Sequence, residues 1–227
     1  MTLDVADYLS RAAQAEGLAA LIADALRGRL SATGKATLAV AGGSTPAGFL
    51  SQLGAQSLDW PRVTVLPTDE RWGPPEHERS NEGMIRGTLL AAGADPGLFG
   101  FWRAGKSAAE ASPGVADDLA PHLPLDICVL GMGADMHCAS LFPGGDALEA
   151  AMAPGGPAVV AMQAPGAAEP RVTLSADVLA TCDLHLLISG EDKREALDQA
   201  MATDDPLAAP IAGVLRRNGR AKIHWAP

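Results

Sequence analysis

The stretch LDICVLGMGADMHCASLFPG, residues 125–144, decides the fold. Ile127 to Leu130 form a continuous apolar run, which Gly131-Met132-Gly133 ends abruptly. A short apolar run closed by glycine reads as a strand buried on both faces, and such a strand needs helices above and below it. An acid, a histidine and a thiol then follow at Asp135, His137 and Cys138. In open parallel sheets, ligands bind beyond the carboxyl ends of the strands. One stretch therefore predicts both a covered parallel sheet and a polar site at its edge.

The same grammar repeats elsewhere. ATLAVAG (36–42), VTVLPTDERW (63–72), DLHLLISG (183–190) and AKIHWAP (221–227) read as strands, and AVVAMQ (158–163) and RVTLS (171–175) as shorter ones. Between them, residues 4 to about 31 read as one long amphipathic helix, its stripe running through Val5, Leu9, Ala12 and Ala13 to Leu18, Leu21, Ile22 and Leu26. Thr45-Pro46 reads as a helix cap followed by proline at the first helical position. Ser80 caps a helix over 80–90, and 191–201 is a helix with a charged face. Strands alternating with helices give an α/β chain with a mostly parallel sheet. Four polar clusters, GGSTP, TDERW, GADMHCAS and SGEDK, each follow an apolar strand directly. If those strands are neighbours, the clusters line one crevice.

Composition narrows the function classes. At 227 residues and 48% apolar, the chain can bury a core without disulfides or metals. A net charge of −10 with no run of Lys or Arg disfavours nucleic acid and anionic membrane as partners. No apolar run approaches the roughly 18 residues that a membrane span needs, and the first residues do not read as a signal peptide. Three cysteines without a C-x-x-C pair read as reduced thiols of a cytoplasmic protein. The five histidines show no ligand spacing, so no metal is expected. No pattern fixes an oligomeric state.

Individual motifs leave alternatives open. AGGSTPAG (41–48) is a glycine turn into a helix, where backbone amides and the Ser44 and Thr45 hydroxyls suit an anion. An ordinary strand-to-helix turn would look the same. It is not a Walker A loop, because Phe49-Leu50 stand where Lys-Ser/Thr belongs, and it lacks the dinucleotide glycine pattern. GMGAD begins like that pattern but has Met136 at the third glycine. His137, beyond a strand end and beside Asp135, suits proton transfer near neutral pH, although a lone histidine can also be a core residue. Ser140 is not in a G-x-S-x-G elbow, and Cys138 adjoins His137 too closely in sequence to face it. Asp69, Glu70 and Arg71 share one loop, where Arg71 could hold an anionic or hydroxylated ligand or form a local ion pair. Lys193 lies in the first turn of a helix, a position unfavourable for a cation by about 0.3–1 kcal/mol unless an anion or its neighbours Glu191 and Asp192 offset it.

Taken together, the AGGSTP loop, TDERW with the SNEGMIR helix, GMGAD-x-H-x-ASLFPG, RVTLS and ISGEDK resemble the 6-phosphogluconolactonase family, in the superfamily of glucosamine-6-phosphate deaminase and ribose-5-phosphate isomerase. The resemblance spans nearly the whole chain, 1–227, as one domain of that kind. It implies a three-layer α/β/α Rossmann-like fold and hydrolysis of 6-phospho-D-glucono-1,5-lactone in the pentose phosphate pathway, with no cofactor or metal. It implies His137 as catalytic base with Asp135 beside it, Gly43, Ser44 and Thr45 as a phosphate loop, Arg171 and Lys193 as basic positions near the phosphate, and Asp69 and Arg71 as a loop bordering the substrate. Two positions depart from the family pattern Asp-Gly-His-Thr: Met136 replaces the glycine and Cys138 the threonine. If the glycine position requires φ > 0, Met136 is strained there. Two other readings compete. A glucosamine-6-phosphate deaminase would carry Phe-Asn-Glu-Pro where this chain has Ser140-Leu141-Phe142-Pro143. A non-catalytic sugar-phosphate sensor would use the same crevice without turnover.

Overall fold

The computed structural model describes residues 3–165 and 167–227. Strand β1 (Asp4–Asp7) leads into helix α1 (Arg11–Thr33), followed by β2 (Ala36–Val40), α2 (Ser44–Gly54), β3 (Val63–Pro67), β4 (Asp69–Arg71) and α3 (Asn81–Ile85), which continues into a π-helical turn at Arg86–Leu90. Then come β5 (Gly97–Leu98), α4 (Ala108–Leu119), β6 (Ile127–Leu130), α5 (Leu148–Met152), β7 (Val159–Met162) and β8 (Arg171–Leu174). The last elements are α6 (Ala176–Ala180), β9 (Asp183–Ser189), α7 (Glu191–Ala202), α8 (Pro210–Asn218) and β10 (Lys222–Ala226).

Seven strands form the main sheet in the order β1-β10-β9-β6-β2-β3-β5, and every pairing is parallel. Its strands are buried on both faces, and alternate residues feed two cores. On β6, Ile127 and Val129 join the core under α1 and α2, while Cys128 and Leu130 join the core under α4, α6 and α8. The layers are therefore helix, sheet, helix, as the alternating pattern predicts. The chain runs outward from β2 to β3 and β5, then returns to place β6 on the other side of β2. That reversal is a topological switch point, and it opens a crevice between the carboxyl ends of β2 and β6.

The structure departs from the sequence reading in three places. Residues 4–7 are not helical: β1 pairs in register with β10, Val5 opposite Ile223, and α1 begins only at Arg11, capped by the Ser10 side chain. Leu9, placed on the helical stripe by its spacing, lies between the two elements and is 97% exposed. DER, within the expected second strand, is a strand of its own, because β4 pairs antiparallel with β8 in a separate sheet of order β4-β8-β7. Finally, α2 starts one residue before the expected cap: Gly43, not Thr45, is its N-cap, at φ 109° and ψ 177°. A side chain is disfavoured at that φ, so glycine is needed there.

Candidate active site

Strand order makes the four polar clusters neighbours, since β9, β6, β2 and β3 are adjacent. Their tips enclose a cleft of about 410 Å³. Gly43, Ser44, Thr45, Asp69, Arg71, His137, Arg171 and Lys193 all line it. Asp135 does not: it stands behind His137, with Oδ1 2.5 Å from the ring's Nδ1.

The floor at the β2 end is the start of α2. No side chain caps its first turn, so those amides are left to a ligand, at the positive end of the helix. α7 is built the same way, with Gly190 at φ 93° as N-cap and no side-chain cap. Lys193 projects from its first turn into the cleft and takes part in no ion pair among the described residues. Glu191 and Asp192 therefore do not pair with it, and an anion in the cleft would offset its unfavourable position.

The opposite wall carries two guanidiniums. Arg171 is 6% exposed, with Nη1 4.0 Å from Asp69 Oδ2. Burial pulls its pKa below the ordinary value, against the attraction of Asp69 and with the repulsion of Arg71. Arg71 is held by its Nη1 donating to the Arg79 carbonyl at 2.5 Å. The Nε atoms of both are buried without a hydrogen-bond partner, a cost to stability unless the side chains shift when a ligand enters.

The supporting residues lie within the quoted motifs, but the sequence assigns them no role. Ser140 is fully buried and donates from Oγ to Asp69 Oδ2 at 2.5 Å. Asn81, also lining the cleft, donates from Nδ2 to the Asp69 carbonyl at 2.6 Å. Glu70 turns away from the cleft and caps α3, accepting the amides of Asn81 at 2.7 Å and Glu82 at 2.8 Å and the Ser80 hydroxyl at 3.1 Å. Burial raises its pKa despite those bonds. Glu70 thus clamps β4 to α3 and fixes where Asp69 and Arg71 point.

His137 is 28% exposed at its side chain, so it belongs to the cleft wall and not to the core. Burial acts to raise the Asp135 carboxyl, but the hydrogen bond and charge of His137 outweigh it and hold its pKa below the usual range. An ionised carboxylate only accepts, so Nδ1 carries a ring hydrogen, and in the neutral imidazole the lone pair is then on Nε2. Gly133 lies against the ring: a Cβ there would come within 2.2 Å of Nδ1 and 2.3 Å of Cε1. On another side, the Phe142 ring is 4.3 Å from the imidazole, centroid to centroid, at 31°. Met136 does adopt left-handed backbone, at φ 66°. Cys138 is fully buried in the core, and desolvation drives its thiol pKa far up, with the Asp69 charge adding to it. It is no nucleophile.

A family model described as glucosamine-6-phosphate isomerases/6-phosphogluconolactonase matches residues 9–225. The chain belongs to that family. Its relatives include the 6-phosphogluconolactonase of Rhizobium meliloti (strain 1021), 41% identical with all of both chains covered, and that of Pseudomonas aeruginosa PAO1, 41% identical over 96% of this chain and 92% of its own. Among solved structures, a 6-phosphogluconolactonase from Shewanella baltica OS155 superposes with a TM-score of 0.94 at 32% identity, covering 100% of this chain and 98% of its own. The left-handed position before the histidine is occupied by Met136, and His137 Nδ1 lies 2.5 Å from Asp135 Oδ1.

Proposed function

We propose that this chain is a lactonase that hydrolyses 6-phospho-D-glucono-1,5-lactone to 6-phospho-D-gluconate in the pentose phosphate pathway, acting as one domain in the cytoplasm. One observation carries the reading: an imidazole with a free Nε2 shares a single cleft with an uncapped helix start and three cations, Lys193, Arg71 and Arg171. The phosphate is held at Ser44, Thr45 and Lys193, which anchors the sugar and leaves C1 near His137. His137 Nε2 takes a proton from water, and the water oxygen attacks C1. Negative charge gathers on the carbonyl oxygen and is stabilised by a guanidinium of the cleft wall or a loop amide. Gly133 contributes no such amide, because its N–H donates to the His137 carbonyl at 2.9 Å. Collapse of the intermediate breaks the bond from C1 to the ring oxygen, which receives the proton from the imidazolium. Asp135 holds the ring in the required tautomer throughout. The lactone carbonyl is already electrophilic, so one positioned base suffices and no metal enters the scheme.

The residues after the histidine support lactone opening over deamination. From Cys138 to Gly145 there is no carboxylate, and Ser140 and Leu141 are fully buried. Acid release from freshly made lactone, corrected for uncatalysed opening, tests the reading. Wild-type protein accelerates it, and His137→Ala lowers turnover about 10²–10⁴-fold while calorimetric binding of 6-phosphogluconate persists. An unchanged kcat in that variant removes His137 from the chemistry. Binding without acceleration makes the chain a sensor, and ammonia release from glucosamine 6-phosphate makes it a deaminase.

A further inference from the structure

Phe142 touches both halves of the proposed machinery. Its ring lies 4.3 Å from the His137 imidazole, tilted 31°. The Arg171 guanidinium carbon lies 5.8 Å from the centre of the same ring. Phe142 itself lines the cleft and packs against the larger core. No other aromatic ring of the described residues approaches His137 in this way.

Asp135 fixes one atom of the imidazole, Nδ1, at 2.5 Å. One hydrogen bond does not by itself fix both χ angles of the side chain. That freedom decides where Nε2 points, and so where water must stand to lose its proton. Two surfaces remove it. Gly133 closes one side, where not even a methyl group would fit, and Phe142 offers its ring to the imidazole. Arg171 is constrained similarly: Asp69 attracts it from 4.0 Å, without a close hydrogen bond, and the Phe142 ring supplies a second, electrostatically favourable contact.

We propose that Phe142 is a positioning residue that sets the spacing between the base and the anion-binding cation, by seating His137 and Arg171 against one aromatic ring. The proposal rests on the lactonase reading for its kinetic consequence only. The contact with His137 is testable without substrate.

Phe142→Leu keeps an apolar side chain and removes the ring. It is expected to lower kcat about tenfold or more, because a base displaced by a fraction of an ångström to ~1 Å loses its alignment. The KM for the lactone is expected to rise about threefold or more, since a cation–π contact is worth about that at exposed sites and more where the cation is desolvated. Phe142→Tyr keeps the ring and is expected to restore both constants. In proton NMR of the free protein, Phe142→Leu moves the His137 ring carbon-bound protons downfield, out of the ring current, and speeds exchange of the Nδ1 proton bonded to Asp135; Phe142→Tyr does neither. If Phe142→Leu fails to fold, by near-ultraviolet circular dichroism, Phe142→Met replaces it with the same expectations. Unchanged His137 proton shifts and exchange in a folded Leu or Met variant overturn the proposal, as does a wild-type kcat in either. If wild-type protein fails to accelerate lactone opening, the functional reading falls, while the NMR comparison still decides whether Phe142 seats the imidazole.

Discussion

Gly133→Ala removes no functional group, yet it should cost the site most of its turnover. The added Cβ would lie 2.2 Å from both His137 Nδ1 and Asp135 Oδ1, and 2.3 Å from His137 Cε1. Ordinary contact begins near 3.4 Å, so the imidazole, the carboxylate or the backbone must yield by ~1 Å. The backbone is the stiffest of the three, because the turn is closed by the Gly133 amide donating to the His137 carbonyl at 2.9 Å and the Met136 amide to the Gly133 carbonyl at 3.0 Å. The ring and carboxylate therefore move, and the Nδ1–Oδ1 contact that sets tautomer and orientation is stretched or lost. A misplacement of that size typically costs ~10²-fold in rate. Stability should fall by only ~1–2 kcal/mol, the usual cost of a strained substitution away from the main core, or ~2–8 °C in a chain of this size. Acid release from 6-phosphogluconolactone gives kcat, calorimetry with 6-phosphogluconate gives binding, and a thermal melt checks folding. The expected result is a folded protein with near-normal binding and kcat reduced about 10²-fold. A kcat within about threefold of wild type would refute the claim that Gly133 is glycine because the catalytic ring needs its space.

Three further outcomes follow from other parts of the structure. Asp69→Asn takes away the carboxylate that faces buried Arg171 and accepts the Ser140 hydroxyl; breaking a buried pair on one side costs ~3 kcal/mol or more, so the melting temperature should drop by several degrees, and a drop under 1 °C would contradict it. Burial, with the charges of His185 and Lys222, depresses the His224 pKa to about 4, so the unfolded chain binds a proton near pH 6.5 that the folded chain refuses; its contribution to stability is full above pH 7 and is lost as pH falls toward 4, by up to ~3 kcal/mol. Denaturant melts at pH 7.5 and 4.5 should show a smaller pH loss in His224→Gln than in wild type, and equal losses would exclude His224 as the cause. Cys128, Cys138 and Cys182 are buried, and burial raises the Cys128 and Cys138 thiols well above their ordinary pKa; iodoacetamide at pH 8 should label none of them in the native protein and all three after denaturation, and rapid native labelling of Cys138 with loss of activity would revive a thiol mechanism.

The parts of the fold that were legible are those whose cause is local. β2, β6 and β9 are apolar runs stopped by glycine or serine-glycine, and burial on both faces writes that composition directly. β1 reads as helix because Val5 and Leu9 fit a helical period, while the interaction that makes 4–7 a strand lies at Lys222 to Trp225, at the far end of the chain. Helix α4 carries readable signals, with buried Ala108, Ala111, Val115 and Leu119 at helical spacing and a capping box of Ser107 with Glu110, but Pro113 in its interior argues locally against a helix. Proline at the start of α8 and Gly219 after its end are likewise signals that could have marked that helix. Most of the expected cleft residues are legible because they follow an apolar strand directly, while Arg171 opens β8 and Lys193 lies in the first turn of α7. Ser140, Asn81 and Phe142 are not legible, because their roles are contacts across the fold: Ser140 and Asn81 bond to Asp69, and Phe142 meets a ring five residues earlier through a turn whose shape no spacing reports.

That turn also explains why two unusual residues are tolerated beside the histidine. Met136 at φ 66° and Ala139 at φ 49° both occupy left-handed backbone, which costs an ordinary side chain ~1–2 kcal/mol each. Glycine would avoid the cost but would also free the backbone on both sides of His137. Here the conformation is imposed from outside: the Ile211 amide at the start of α8 donates to the Met136 carbonyl at 3.2 Å, the Leu141 amide to the Cys138 carbonyl at 2.9 Å, and the Met136 side chain packs on the core. Met136 and Cys138 go to the core and His137 to the cleft, so a thiol and an imidazole that are neighbours in sequence do not meet. Methionine suits the first position because its unbranched, adaptable side chain can reach the core from a backbone that a β-branched residue could not adopt.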